Sequence, residues 1–514
     1  MGTAEKISDL QKRREAIENG GDSVKKKKQK DENKLTARER VMTIFDDGSF
    51  IEIGAFAKNN YCEKGIPEID APCEGVVCGY GTVDGRLIYA YAQDQTVLGG
   101  AIGKVQSEKI VKIIDMAIKM GAPLVSLLDS NGARLYEGIE ALGGLGDIIA
   151  KTSVASGVIP MICGVLGNVA GGESMLASLS DFVVMTEKTS QMFVTGPSVL
   201  SGISGKQVTK EDYATANVQA KNGNVHIVAQ NDNDAIMNIR KLLSYLPSNN
   251  LEDTPYINNS DDINRLAQGV ENYIIDDKTE FDMKQIITQI VDCGELFEIQ
   301  KEFAQNMITS FARMNGSTVG IIANNSVCHD ANIDNNACIK ATRFIAFCDS
   351  YNIPLVVFTD VAGFAPCIIE EENGLIRNGA KLISAFTEST VPKINVVVRR
   401  AYGSAYLTMC SKQAGCDFVL AWPTATISVM EPEGAANMIY ADKYAKCKNP
   451  NTAKEEIVEK YIEDYANPYI AAKCGFVDDI ILPQETRPRV IAALEMLASK
   501  REQRPNKKHS NMSL

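Results

Sequence analysis

Two stretches of this chain read as copies of one another. Val158–Met185 is VIPMICGVLGNVAGGESMLASLSDFVVM, and Val391–Trp422 is VPKINVVVRRAYGSAYLTMCSKQAGCDFVLAW. Each runs from a proline through an apolar stretch, a cluster of small residues, a helix-like segment and an aspartate to a second apolar stretch. Pro160 and Pro392 are 232 residues apart, as are Gly171 and Gly403; Asp181 and Asp417 are 236 apart, and Pro123 and Pro354 are 231 apart. Landmarks that recur at one spacing imply a duplicated domain. A chain of 514 residues also exceeds what one hydrophobic core organises. We therefore expect an α/β chain of two tandem domains, residues 1–255 and 256–514, joined through the polar, turn-rich Ser248–Asn264.

The repeated segment implies a chemistry. Met161–Leu166 has the length and composition of a buried strand. Ala170, Gly171 and Gly172 then open a helix. A strand that passes through small residues into a helix leaves backbone N–H groups unpaired. With the positive end of the helix dipole, such donors suit a negative charge developing on oxygen. Gly132 and Ala133, after the strand Leu124–Leu128, offer a further N–H beside them. Arg134 suits a phosphate or carboxylate; equally, it suits an ion pair with Glu137 or Asp129. The loop before the helix Lys104–Met120 carries Gly99 and Gly100 at a strand end, a common place for a ligand site. In the second copy, Asp360–Cys367, with Gly363 and Phe364, takes the place of the Asp129–Glu137 loop.

A net charge of -12 argues against general nucleic-acid or membrane-surface binding. Neither a signal core nor an 18-residue apolar run is present, so a cytoplasmic protein is expected. The 13 cysteines form no CxxC pair, and the spacing of Cys62, Cys73 and Cys78 fits no common zinc pattern; no metal is expected. With 3 histidines, a histidine base starts with poor odds. Residues 4–35 read as one charged helical stretch whose Lys25–Lys28 run is a solvated face or a partner contact. Phe50–Phe56 reads as a strand, Val83–Arg86 as a hairpin turn, and Lys446–Tyr465 as a charged helical insertion.

Several motifs remain: SNGARLYEG at Ser130–Gly138, VAGG at Val169–Gly172, FVTGP at Phe193–Pro197, DVAGF at Asp360–Phe364, IRNGAK at Ile376–Lys381, RAYGSAY at Arg400–Tyr406, AWPTA at Ala421–Ala425 and GFVDDI at Gly475–Ile480. Through them the chain resembles the acyl-CoA carboxyltransferase family. These are the biotin-dependent β subunits of propionyl-CoA and related carboxylases, with the similar subunits of methylmalonyl-CoA decarboxylases and transcarboxylases.

The resemblance implies a crotonase-like ββα spiral in each half. Acyl-CoA would bind the N-terminal half, and carboxybiotin the C-terminal half of a partner subunit, in a hexamer built as a trimer of dimers. Gly171 and Gly172 would hold the acyl-CoA enolate oxygen, and Ser404 and Ala405 the ureido oxygen of biotin. Gly99, Gly100, Ala133, Arg134, Gly363, Phe364, Tyr406 and Leu407 would bind substrate. Leu407, where the family lines the acyl pocket, favours propionyl-CoA and methylmalonyl-CoA. The implied partners are a biotin carboxyl carrier protein and a biotin carboxylase or membrane decarboxylase subunit.

The chain departs from the family at Ala362–Gly374, Ser404, Glu173-Ser174 and Glu431-Pro432-Glu433. Glu173 opens the alternative of a crotonase-type enoyl-CoA hydratase or isomerase without biotin, with Glu173 as acid/base; its plainer reading is stabilisation of a helix N-terminus. A non-catalytic assembly subunit is the third reading.

Overall fold

A computed structural model describes residues 2–59, 70–274, 276, 278–440 and 450–511. Cys62 and residues 446–449 of the charged insertion lie outside the described residues; the insertion continues as a helix, Pro450–Tyr461. The chain divides into two compact units, Met1–Glu252 and Asp253–Leu514.

In the first unit the expected single helical stretch is two helices, α1 (Thr3–Glu18) and α2 (Ser23–Asp31). The break falls at Gly20, whose φ is +62°, and at Gly21, where a Cβ would lie 2.7 Å from the Thr96 carbonyl oxygen. Helix α3 (Ala37–Ile44) starts on a Thr36/Glu39 capping box. Strand β1 is Ile51–Glu52, shorter than expected, because Gly54 at φ +71° turns the chain away. Strands β2 (Val76–Val83) and β3 (Arg86–Gln93) form the hairpin. Asp84 and Gly85 both have positive φ, as such a turn requires.

Helix α4 (Lys104–Met120) buries Ile110, Ile113, Ile114 and Ala117 and stops at left-handed Gly121. There follow β4 (Leu124–Ser130), α5 (Ile139–Ala155), β5 (Met161–Ala170), α6 (Gly172–Leu179), β6 (Phe182–Thr186), β7 (Gln191–Phe193), α7 (Pro197–Ser204), α8 (Ala216–Lys221), β8 (Ile227–Ala229) and α9 (Asp232–Tyr245). The sheet order is β1-β2-β3-β4-β5-β6-β8, with β7 on β5, and it is parallel from β3 onward. Strand β5 is almost wholly buried, as befits a parallel strand covered on both faces.

The second unit repeats this plan. Helix α10 (Met283–Ile290) precedes β9 (Leu296–Ile299), β10 (Met307–Met314) and β11 (Ser317–Asn324). Then come α11 (Asn335–Ser350), β12 (Leu355–Val361), α12 (Ile368–Glu372), α13 (Leu375–Glu388), β13 (Lys393–Tyr402), α14 (Gly403–Thr408), β14 (Phe418–Ala421), β15 (Thr426–Ser428) and, near the C-terminus, β16 (Asp479–Ile480). The sheet order is β16-β14-β13-β12-β11-β10-β9, with β15 on β13. Register repeats too. Leu124 pairs with Met161 and Leu355 with Lys393, and both ladders shift after Leu128 and Thr359 respectively. Isolated bridges Ile102–Ala133 and Ile333–Phe364 recur at the same place. The C-terminal helix, Thr486–Leu497, buries Val490 and Ile491.

Candidate active site

In the first unit, β5 passes into α6 through Gly171, held at φ +69°. The Gly171 N–H donates to the Phe193 carbonyl of β7 at 2.9 Å. That bond corrects the expectation for Gly171: its N–H belongs to the sheet. The N–H groups of Gly172 and Glu173 make no hydrogen bond among the described residues, and no side chain caps the helix. These two occupy the positions of Ser404 and Ala405 in the repeat, at the spacing of 232. The repeat was thus the signal for Glu173; its size hid it.

Ala133 supplies a third donor. Ile102 N–H donates to Gly132 O at 2.8 Å, and Arg134 N–H to Ile102 O at 2.9 Å. The N–H between them, on Ala133, therefore faces the other way. Gly132, held at φ +93°, lies beside β5, where a Cβ would meet the Ala170 carbonyl oxygen in ordinary contact at 3.4 Å.

Arg134 is buried. Its guanidinium meets Glu74 at 2.6 Å and Glu137 at 3.0 Å, and donates to the carbonyls of Ala101 and Glu74. The ion pair with Glu137 is present, and Arg134 braces the loop from behind. Gly100 packs against β4, where a Cβ would lie 2.1 Å from Asp129 O.

Asp129 is itself buried and paired with Lys34 at 2.8 Å and Arg40 at 3.1 Å. Gln93 accepts from the Asp129 N–H at 3.1 Å and donates to the Glu173 carboxyl. Glu173 is 0% exposed, so its carboxyl faces the interior and not a bound ligand.

A cavity of about 520 Å³ opens beside this loop, lined by Gly99, Asn131 and Asn168 and by Lys25, Lys28 and Lys188. The Lys25–Lys28 run is therefore part of a cationic cavity wall as well as a solvated face.

In the second unit the same donors recur. Ile333 N–H donates to Gly363 O at 3.0 Å and Ala365 N–H to Ile333 O at 2.9 Å, which turns the Phe364 N–H outward. Ser404 and Ala405 begin α14 with no capping side chain and no backbone partner for their N–H groups among the described residues. Phe364 packs over Gly379, where a Cβ would touch its ring at 3.1 Å. The departing stretch Ala362–Gly374 is tied down by Glu370, which accepts from the Asn335 N–H at 2.9 Å and its amide at 2.7 Å. Tyr406 is buried, whereas Leu407 is 37% exposed on the outer side of α14. Arg399 and Arg400 are engaged by Asp360 at 2.8 and 3.0 Å, and Arg400 also by Asp330 at 2.7 Å. No group of three or more metal-ligating side chains occurs among the described residues.

Residues 28–512 match the family model described as the carboxyl transferase domain. The chain belongs to the carboxyl transferase family. Among related carboxyltransferases, the methylmalonyl-CoA decarboxylase subunit alpha of Veillonella parvula is 47% identical over 512 residues, covering 99% of both chains. The methylmalonyl-CoA carboxyltransferase 12S subunit of Propionibacterium freudenreichii subsp. shermanii is 42% identical over 507 residues, 98% of this chain and 97% of that one. The crystal structure of the transcarboxylase 12S hexamer, with methylmalonyl-coenzyme A and methylmalonic acid bound, superposes with a TM-score of 0.97 at 41% identity, over 100% of this chain and 99% of the other. Both units of this carboxyltransferase are accordingly crotonase-like domains.

Proposed function

We propose that this chain moves a carboxyl group between biotin, borne on a separate carrier chain, and the α-carbon of a short acyl-CoA, with propionyl-CoA and methylmalonyl-CoA as the pair. The observation that carries the reading is one three-donor arrangement built twice, beside a cationic cavity in one unit and beside fully paired arginines in the other. In the first unit a thioester oxygen among the N–H groups of Ala133, Gly172 and Glu173 gains charge as the α-carbon loses carbon dioxide or a proton. Each donor that meets that enolate lowers the barrier by about 3 kcal/mol. The cavity wall of Lys25, Lys28 and Lys188 suits the phosphates of coenzyme A.

In the second unit Phe364, Ser404 and Ala405 present N–H donors while Arg399 and Arg400 are committed to aspartates. Donors without an uncommitted cation fit a neutral urea carbonyl better than a phosphate. Biotin would supply the carboxyl group at its ureido nitrogen. The chain's own part is to orient that ring and to polarise its carbonyl. Leu407, apolar and half-exposed, suits a short branched acyl group.

Relatives named as a decarboxylase, a carboxylase and a transcarboxylase subunit fit one reaction whose direction the partner chains set. We place the chain in the cytoplasm, in a hexamer, with a biotin carboxyl carrier protein and a biotin carboxylase or membrane decarboxylase subunit as partners. Exposed Leu135, Tyr136 and Ile139 in the first unit, and Ile368, Ile369 and Ile376 in the second, are the apolar surfaces such an assembly would cover.

The test is carboxyl transfer from methylmalonyl-CoA to free biotin by the purified chain, with malonyl-CoA and glutaconyl-CoA alongside. Transfer that needs biotin and drops by at least about a hundredfold in Gly172→Pro supports the reading. Absence of transfer, with hydration of an enoyl-CoA instead, overturns it.

A further inference from the structure

The two units differ at a residue inside the site. Glu173 stands where the second unit has Ala405. Its N–H faces outward as a donor, but its side chain turns inward and is wholly buried. One carboxyl oxygen, Oε1, accepts from Gln93 Nε2. The other, Oε2, makes no hydrogen bond of ordinary geometry among the described residues, and the Ser130 hydroxyl faces the carboxyl only as a weak donor. Gln93 has no second donor arrangement to offer, because its carbonyl is held by the Asp129 N–H. A carboxylate in that setting would be both desolvated and under-bonded.

The groups facing Glu173 sharpen the point. Asp129, on β4, faces it with like charge and is paired with Lys34 and Arg40. Tyr91 on β3 and Cys163 on β5 also face it. Burial holds the Tyr91 hydroxyl well above its ordinary range and the Cys163 thiol up at about 12, so both stay neutral near pH 7. Helix α5 brings an apolar neighbour, Leu145, against Gly172. Burial therefore raises the Glu173 pKa to about 7; Ser130 and Gln93 pull it down, and Asp129 adds to the rise.

We propose that Glu173 is a positioning residue of the first site that works with its carboxyl protonated, and that its ionisation shuts the site down. An ionised Glu173 puts negative charge in the first turn of α6, behind the N–H groups of Gly172 and Glu173. There it takes up the helix-dipole field that the enolate oxygen needs. The inference rests on the carboxyl-transfer reading for the identity of that anion.

Two measurements on the full-length chain test it. The first is infrared difference spectroscopy between pH 6 and pH 8.5, which reads the C=O stretch of a protonated carboxyl. A band lost with a midpoint near 7, and missing from Glu173→Gln, is expected. The second is the pH profile of biotin-dependent methylmalonyl-CoA decarboxylation. The wild-type rate should fall roughly tenfold per pH unit above the midpoint, and Glu173→Gln should lose that alkaline limb whatever its absolute rate. A merely structural glutamate would lower the rate at every pH and leave the limb in place. A limb that persists in Glu173→Gln, or a wild-type chain with no titrating carboxyl band, overturns the proposal. If Glu173→Gln does not fold, Glu173→Ala, the residue of the second unit, takes its place. If no protein transfers carboxyl groups at any pH, the functional reading fails, and the infrared band alone decides whether Glu173 holds a proton.

Discussion

Asp129 in the first unit and Asp360 in the second end equivalent strands, and each is buried against the strand that leads to the donors. Their countercharges come from different places. Asp360 is paired within the sheet by Arg399 and Arg400 of β13. The position of Arg399 is Gly167 in the first unit, and there a Cβ would lie 1.9 Å from the Asp129 carboxylate. With no room for a side chain, the charge must arrive from outside, and Lys34 and Arg40 bring it. They draw the N-terminal segment, with the lysines of α2, across the first unit.

The neighbouring corner differs in the same sense. Arg400 reaches Asp330 in the second unit, whereas the equivalent Asn168 and Gly99 leave a cavity open in the first. The position of two arginines thus decides which copy keeps an open, lysine-lined corner and which places an ion pair there.

The largest effect is expected from removing the buried aspartates. Asp360→Ala leaves the buried Arg399 guanidinium without its carboxylate and Arg400 with only the half-exposed Asp330, and should cost about 3–5 kcal/mol. Asp129→Ala should cost less, because the partner that Arg40 keeps, Asp232 at 2.8 Å, is buried, whereas the Asp330 kept by Arg400 is half exposed. Urea unfolding of the full chain measures both; equal losses would break the comparison.

Acid sharpens it. Burial opposes the charged form of Asp360, but hydrogen bonds from Arg399 and Arg400 outweigh that and hold its pKa below the ordinary 3.8. A lowered folded-state pKa stabilises above the unfolded value, and that contribution disappears as pH falls through the folded one. The stability gap between wild type and Asp360→Ala should therefore be full at pH 6 and shrink as the pH drops below about 4.

Next in size is an exchange of corners. Asn168→Arg with Gly99→Asp gives the first unit the ion pair of the second. Asp330 adopts φ +51° at the matching place, close to the +68° of Gly99, and the new Cβ, 2.5 Å from the Asn131 side-chain amide, requires that flexible end to swing aside. Filling the cavity should raise the KM for acyl-CoA about tenfold or more, with a smaller change in kcat. An unchanged KM would show that the phosphates bind elsewhere.

These differences were only partly readable from the chain. The duplication, the first hairpin and the buried β5 and β13 follow from local pattern, because glycine turns and apolar runs need no distant partner. The donors were readable to within one residue. Smallness marks where a backbone must bend, and Gly171 does bend, but N–H availability depends on Phe193 in another strand. The role of Arg134 likewise depends on Glu74, 60 positions away. The cavity needed Gly21 to seat on Thr96 and Lys34 to find Asp129. None of those contacts leaves a periodic trace.

The smallest effect sought concerns the lysines themselves. Lys25 and Lys188 make no ion pair among the described residues, and Lys28 has a loose one with Glu32 at 3.9 Å. Exposed charges of this kind act through screened fields, each worth up to about 1 kcal/mol. Lys28→Gln and Lys188→Gln should each raise the KM for acyl-CoA roughly two- to fivefold at low salt. The effect should fade as sodium chloride rises and the screening length shortens from about 10 Å at 0.1 M to about 3 Å at 1 M. The KM for free biotin is the contrast. In the proposed reaction the second unit would meet a neutral ureido group with backbone donors beside paired arginines, so that KM should stay nearly flat across the same salt range. A biotin KM that climbs with salt as steeply as the acyl-CoA KM would mean that the second unit also recruits charge, despite the pairing of Arg400 with Asp330.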